Sequence, residues 1–227
     1  MMRLYSAVLT VGLFLIAGCA TGGQDATIKC IKEELAKATF TVESLKKQNQ
    51  DLKNEVSLFQ KTQTLDSQKF LDVMDVLRRN LTDDAVKGDV DFEITDRGLV
   101  IIVSSEKLFI SGSDLLSDEG KAFLDTVGLI LKENFFSNYI FIEGHTDNQS
   151  LAVFEWKSDW DFSFARALSV LKYLDEKDYA DPLRLSAAGF GQYRPRQANM
   201  TKEGRKANRR IEIIVSPRDS KSTNNNS

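Results

Sequence analysis

The chain has 227 residues, 42% hydrophobic and 28% charged, with 3 prolines and 13 glycines, a composition that suits a folded domain and excludes collagen-like, mucin-like and wholly disordered chains. Lys and Arg number 30 against 33 Asp and Glu, a net charge of −3, so the overall balance selects neither nucleic acid nor an anionic bilayer as a partner. Two cysteines and one histidine are too few for a zinc site or a disulfide-stapled scaffold, and neither a metal nor a cofactor is expected.

Arg3 gives a short basic start, residues 4–16 form an apolar run of signal-peptide length, and Ala17 and Gly18 are small residues placed as at a cleavage site. A transmembrane helix needs roughly 20 apolar residues, and this run ends sooner. The segment Leu15-Ile16-Ala17-Gly18-Cys19 resembles the lipobox of bacterial lipoproteins. That resemblance implies a signal peptide over 1–18 and lipidation of Cys19 by acyl chains such as palmitate, each buried methylene contributing about 0.8 kcal/mol to membrane attachment. Ala20 stands where an Asp would resemble an inner-membrane retention signal, so the implied address is the periplasmic face of the outer membrane. With Cys19 acylated, Cys30 is expected as a free thiol.

After a spacer over 19–27, apolar residues recur at alternating steps of three and four. Ile28, Leu35, Val42, Asn49 and Val56 form one seam position, and Ile31, Ala38, Leu45, Leu52 and Phe59 the other. This heptad pattern predicts a coiled coil, and the β-branched residues in the first set with Leu in the second favour two strands, hence a homodimer in which Asn49 sets the register. Cys30 faces outward from that seam, where a bridge between two strands would be poorly placed. Past Phe59 the frame meets Gln63 and Asp66, and a broader apolar face follows in Phe70, Val73, Met74, Leu77 and Leu81, as on a helix lying against a folded domain. The stalk is assigned to 28–82; a continuous helix over 28–77 would reach about 75 Å at about 1.5 Å per residue.

From Val90 the pattern changes. Alternation over 89–94, a turn at Asp96-Arg97-Gly98 and the apolar run 99–103 read as a β-hairpin. Ser117 can cap a helix running to about Glu133, residues 139–143 read as a strand, and 163–176 as a second helix with Phe164, Ala167, Leu168, Leu171 and Leu174 inward. Residues 183–188 and 210–215 supply two more strands, separated by the glycine-, proline- and basic-rich stretch 189–209. The expected class is α+β, a mixed sheet with βαβ-type units and helices packed on it, over 88–217. Residues 218–227 are a polar, asparagine-rich tail expected to be disordered.

Glu143-Gly-His-Thr-Asp-Asn148, Asp159-Trp-Asp-Phe-Ser163, Ala165-Arg-Ala167, Arg184-Leu-Ser186, Gly189-Phe-Gly191 and Asn208-Arg-Arg-Ile-Glu-Ile213, in this order and spacing, resemble the OmpA-like peptidoglycan-binding domain. The loop 149–158 and the segment after it look most like the MotB branch of flagellar stator subunits, and the lipobox like the Pal branch of peptidoglycan-associated lipoproteins. The resemblance implies a noncovalent grip on the diaminopimelate end of a wall stem peptide, with Asp147 and Arg166 as the gripping pair. Chemically, a carboxylate accepts charge-assisted bonds from an ammonium and a guanidinium donates two parallel bonds to a carboxylate. Thr146, Asn148 and Arg209 are implied in the same cleft. Asp159 stands where the family usually has Asn, which removes an amide donor and adds a charge.

Plainer readings stand beside these. An Asp–Arg pair could be a salt bridge of about 0 to 1 kcal/mol; the surrounding motif favours binding. His145 lacks ligand spacing with Asp147, Asp159 and Asp161 and reads as structural. No nucleophile elbow accompanies it, so no enzyme activity is expected. Trp156 and Trp160 read as packing residues, and the basic stretch 194–210 as largely solvated, with no nucleic acid partner. Two functions follow: a lipoprotein tether between outer membrane and peptidoglycan, or an accessory component of an envelope machine such as the flagellar motor, recruiting a protein through the coiled coil.

Overall fold

The computed structural model describes residues 24–149 and 156–217; the signal peptide, Cys19, most of the loop 149–158 and the tail 218–227 lie outside the described residues. The chain divides into two compact units, Met1–Gln60 and Lys61–Ser227. No helix among the described residues is long and apolar enough to cross a membrane.

In the first unit the described residues belong to helix α1 (Gln24–Asn80). The heptad residues Ile28, Ile31, Leu35, Val42, Leu45, Leu52 and Val56 are 49–65% exposed, forming an apolar face that no core among the described residues covers. Asn49 Nδ2 donates to the Leu45 carbonyl at 2.9 Å, and Lys37 pairs with Glu34 at 3.0 Å. Cys30 is disulfide-bonded, and no cysteine among the described residues is free. This corrects the expected free thiol. The expectation rested on acylation of Cys19 and on heptad geometry, which governs bridging across a seam and not bridging outside it.

In the second unit the last turns of α1 bury Phe70, Val73 and Leu77, with Leu81 just beyond, in the main core, as their broad apolar spacing predicts. After α2 (Thr82–Val86), β1 (Val90–Thr95) and β2 (Gly98–Ser104) form a hairpin with Thr95 opposite Gly98. Gly98 has φ +113°, and a Cβ there would lie 2.0 Å from the Val215 carbonyl oxygen, so the turn requires glycine. Then follow α3 (Ser105–Leu108), α4 (Asp118–Phe135), β3 (Ile140–His145), α5 (Asp159–Glu176), β4 (Leu185–Gly189), α6 (Lys202–Asn208) and β5 (Arg210–Val215). The sheet order is β1-β2-β5-β3-β4. Only β3 and β4 are parallel, joined through α5; β5 is inserted antiparallel between β2 and β3. This is the mixed α+β architecture expected.

Alternation places Leu99, Ile101, Val103, Ile140, Ile142, Ile211, Ile213 and Val215 on one sheet face, where they join α4, α5 and the end of α1 in one core. Val100, Ile102 and Ile214 form a small cluster on the other. With both faces covered, β2 is buried at every position, which is why it reads as a continuous apolar run. Helix α5 begins four residues before the predicted Ser163, because Ser158 caps it by accepting from the Asp161 amide at 3.1 Å and acidic Asp159 and Asp161 suit its first turn. Helices α2, α3 and α6 are additional to the elements expected from the sequence; all are short, and α3 and α6 begin at Ser104 and Thr201 caps.

Candidate functional site

One close approach positions the site. A Cβ at Gly144 would lie 2.0 Å from the Ser163 carbonyl oxygen, so the glycine lets the end of β3 run against the first turns of α5. Ser163 Oγ accepts from the Gly191 amide at 2.9 Å, and the Thr146 amide donates to the Gly191 carbonyl at 3.0 Å. Three segments are thereby held together: the end of β3, the start of α5 and the loop after β4. The result is a cleft of about 510 Å³ with Asp147 from the loop after β3, Arg166 and Phe162 from α5, Ser105 and Glu106 from α3, Phe109 from the loop after it, and Arg209 from the α6–β5 junction.

Arg166 is 7% exposed, its guanidinium lying 4.9 Å from the Phe109 ring centre and 4.0 Å from that of Phe162. Its Nε donates to the Ser113 carbonyl at 2.9 Å, and among the described residues its Nη groups pair with no carboxylate. Burial lowers its pKa to about 10; the nearby Glu106 and Asp114 charges raise it and Arg209 lowers it. At neutral pH it is a charged, largely desolvated cation whose terminal donors are unclaimed among the described residues. Such a group gains from an anion that enters with fork geometry.

Asp147 is 5% exposed. Its Oδ1 accepts from the Gln149 amide at 2.9 Å and its Oδ2 from Arg209 Nη1 at 2.5 Å. Arg209 also bonds Glu106 Oε1 through Nε at 2.8 Å. Burial opposes the charge of Arg209, yet the bonds to Asp147 and Glu106 outweigh it and raise the pKa. The ion pair in the cleft is therefore Asp147–Arg209, not the Asp147–Arg166 bridge that composition alone would suggest. The cleft juxtaposes two cations and two anions, and among the described residues the Arg166 Nη groups and the Ser105 hydroxyl are donors with no partner.

The other expected residues fall outside the cleft wall. Thr146 is buried, and its Oγ1 has no hydrogen-bond partner among the described residues. Asn148 is exposed. Asp159 accepts from Gln192 Nε2 at 2.8 Å in the first turn of α5, so its carboxylate fastens a loop. Asn208 is fully buried and satisfied, Oδ1 accepting from the Arg196 and Gln197 amides at 2.8 and 2.9 Å. It knits the preceding loop to α6 and so fixes where Arg209 emerges. Glu106, Phe109 and Phe162 are cleft residues that sequence reasoning missed; Ser104, placed to cap a turn three residues before Lys107, was the available signal for α3.

His145 ends β3, 3% exposed and stacked on Phe190 at 5.4 Å and 22°. Burial, then the charges of Arg210, Arg194 and Arg97, lower its pKa to about 3, so the imidazole is neutral at physiological pH. Glu143, His145 and Glu212 bring ligand atoms within 4.8 Å of one another. Glu143 is already held by both Nη groups of Arg97 and Glu212 by Arg210 Nε at 2.7 Å, so the local potential opposes a cation. Trp156 packs on Phe162 at 5.1 Å and Trp160 stacks on Tyr193 at 5.0 Å.

Residues 108–209 match the OmpA family. The chain is 31% identical over 159 residues to Motility protein B of Bacillus subtilis, covering 70% of this chain and 60% of that protein. It is 30% identical over 131 residues to the outer-membrane lipoprotein YfiB of Pseudomonas aeruginosa, covering 58% of this chain and 74% of that one. Among solved structures, the cell wall anchor of the T6SS from Pseudomonas aeruginosa is 31% identical with a TM-score of 0.56, over 62% of this chain and 96% of that chain.

Proposed function

Because this chain belongs to the OmpA family, we propose that its second unit binds peptidoglycan noncovalently, with Asp147 and Arg166 gripping the zwitterionic diaminopimelate end of a stem peptide. The observation that carries this reading is the buried Arg166 guanidinium, facing a cleft with its Nη donors unclaimed, beside a carboxylate held ready by Arg209. The ligand carboxylate would take the Arg166 fork. The ligand ammonium would share Asp147 with Arg209, and Phe109 and Phe162 would exclude water from the pair. Thr146 and Asn148 act in this reading through the loop they belong to, and Asp159 through the loop it fastens.

In the same reading 1–18 is a signal peptide, Cys19 is acylated, 28–82 is the stalk through which two chains pair, and the protein tethers the outer membrane to the wall from the periplasmic side. The likeness to a motility protein supports a second reading, an accessory component of an envelope machine whose exposed α1 face recruits a partner protein. Acylation converts the Cys19 sulfur to a thioether. The chain has two cysteines, so acylation of Cys19 and a disulfide at Cys30 within the same chain exclude each other. Intact mass of the mature protein before and after reduction reads both modifications at once.

The deciding experiment is co-sedimentation of the whole mature chain with purified peptidoglycan, comparing wild type with Asp147→Asn and Arg166→Ala after circular dichroism confirms their folds. Wild type is expected in the pellet and both variants in the supernatant. Equal pelleting of all three would remove the cleft from the function.

A further inference from the structure

Residues 28–56 carry more than a dimerisation signal. Their heptad frame places Lys32, Lys46 and Lys53 at the position following the second seam residue, and Glu34 and Glu55 at the position preceding the first. Every charge on one flank of the apolar face is basic and every charge on the other acidic. When two such helices pair antiparallel, each flank meets its own kind, lysine facing lysine and glutamate facing glutamate. When they pair parallel, the basic flank of one lies along the acidic flank of the other, and no like charges oppose.

Asn49 points the same way. It is the polar member of the first seam set, in a face otherwise made of Ile, Leu, Val and Ala. In a parallel pair in register it meets its own copy, and two amides satisfy each other; in an antiparallel pair it meets an apolar residue of the other set. Within the single chain its Nδ2 donates to the Leu45 carbonyl of its own helix at 2.9 Å, which leaves the amide oxygen for a partner. The large apolar seam residues from Ile28 to Val56 are all about half exposed or more, so the face awaits an occupant along its length.

We propose that this face is occupied by a second copy of the same chain, parallel and in register, with Asn49 opposite Asn49. This deepens the homodimer in the reading above and does not depend on wall binding. It brings the two Val56 residues, and the chain that follows each, to the same end of the paired segment. Two copies of the cleft would then leave the pair from one end.

The test uses the full chain in bacterial envelopes, with Cys30→Ser as the parent so that introduced thiols report alone. Ile31→Cys, Leu45→Cys and Leu52→Cys are oxidised separately and run without reductant, with Lys47→Cys on the outer face as control. A parallel pair in register predicts a reducible band of twice the chain mass from all three seam variants and only the parent's background from Lys47→Cys. A band from one seam variant alone would mean an antiparallel pair. A band of another mass would mean a different protein on the face, and no band would mean no pairing; each of these overturns the proposal. Peptidoglycan co-sedimentation of the same envelope extracts is scored in parallel, so loss of pairing with retained pelleting is told apart from failure of wall binding.

Discussion

At the scale of single residues, the cleft depends on a cation that the fold holds at a cost. Arg166 lies between two aromatic rings with its pKa lowered to about 10. Below that pH it is charged whether folded or unfolded, so its burial penalty is fully present at neutral pH. Arg166→Met is therefore expected to leave the thermal midpoint of the ligand-free chain unchanged or higher while weakening peptidoglycan binding by about 2 kcal/mol or more, roughly 30-fold. Arg166→Lys, which keeps charge but loses the fork, should fall between. Differential scanning calorimetry and pelleting isotherms on the same samples check both. His145 carries the opposite experiment. Its folded pKa of about 3 lies below the usual 6.5, so the unfolded chain binds the extra proton between those values. The stability contributed is full above about pH 6.5 and is lost as pH falls toward 3, an effect of about 3 to 5 kcal/mol. Urea melts at pH 7 and pH 4 should show a steep loss for wild type and a shallower one for His145→Gln. Motif order and spacing make Asp147, Arg166 and Arg209 legible in the sequence. They do not reveal that Asp147 pairs with Arg209, because that contact spans 62 residues of sequence and depends on how β5 is inserted.

At the scale of elements, α1 changes role along its length, and the apolar spacing records the change. The narrow seam with steps of three and four stays exposed, whereas the broader set Phe70, Val73 and Leu77 enters the core of the second unit. A fragment beginning at residue 85 would discard these side chains together with Leu81. Each contributes about 1.5 to 3 kcal/mol of burial, and their sum rivals the whole stability of a domain. Residues 61–227 should unfold cooperatively in urea, and 85–227 should show a broad transition with exposed apolar surface, read by near-ultraviolet circular dichroism. The single change Leu77→Ala, at a site with no exposure, should cost about 2 to 5 kcal/mol. Strand and helix identities were legible because period 2 and period 3.6 are local properties. The start of α5 was misplaced because the strongest local signal, the apolar run from Phe162, lies inside a helix whose cap is the earlier Ser158.

At the scale of the whole molecule, the proposed pairing and the proposed wall binding are separable and would multiply. Two clefts carried on such a dimer would convert the second binding event into an intramolecular one and raise apparent affinity by about 10²-fold or more when both engage. A chain lacking 24–60 should therefore keep the single-cleft affinity and lose this gain, visible as a rightward shift of the pelleting isotherm on multivalent peptidoglycan and no shift with a soluble stem peptide. By itself the sequence determined the class of the domain, the apolar face of α1 and three of the four charged residues that line the cleft, because periodicity, turn chemistry and motif order are written over short distances. Tertiary structure decided the rest: the insertion of β5 between β2 and β3, the choice of Arg209 as the partner of Asp147, and the burial of Arg166 with Nη groups that pair with no carboxylate among the described residues. Each of these depends on which distant segments meet, and burial then sets the strength of every charge brought together there.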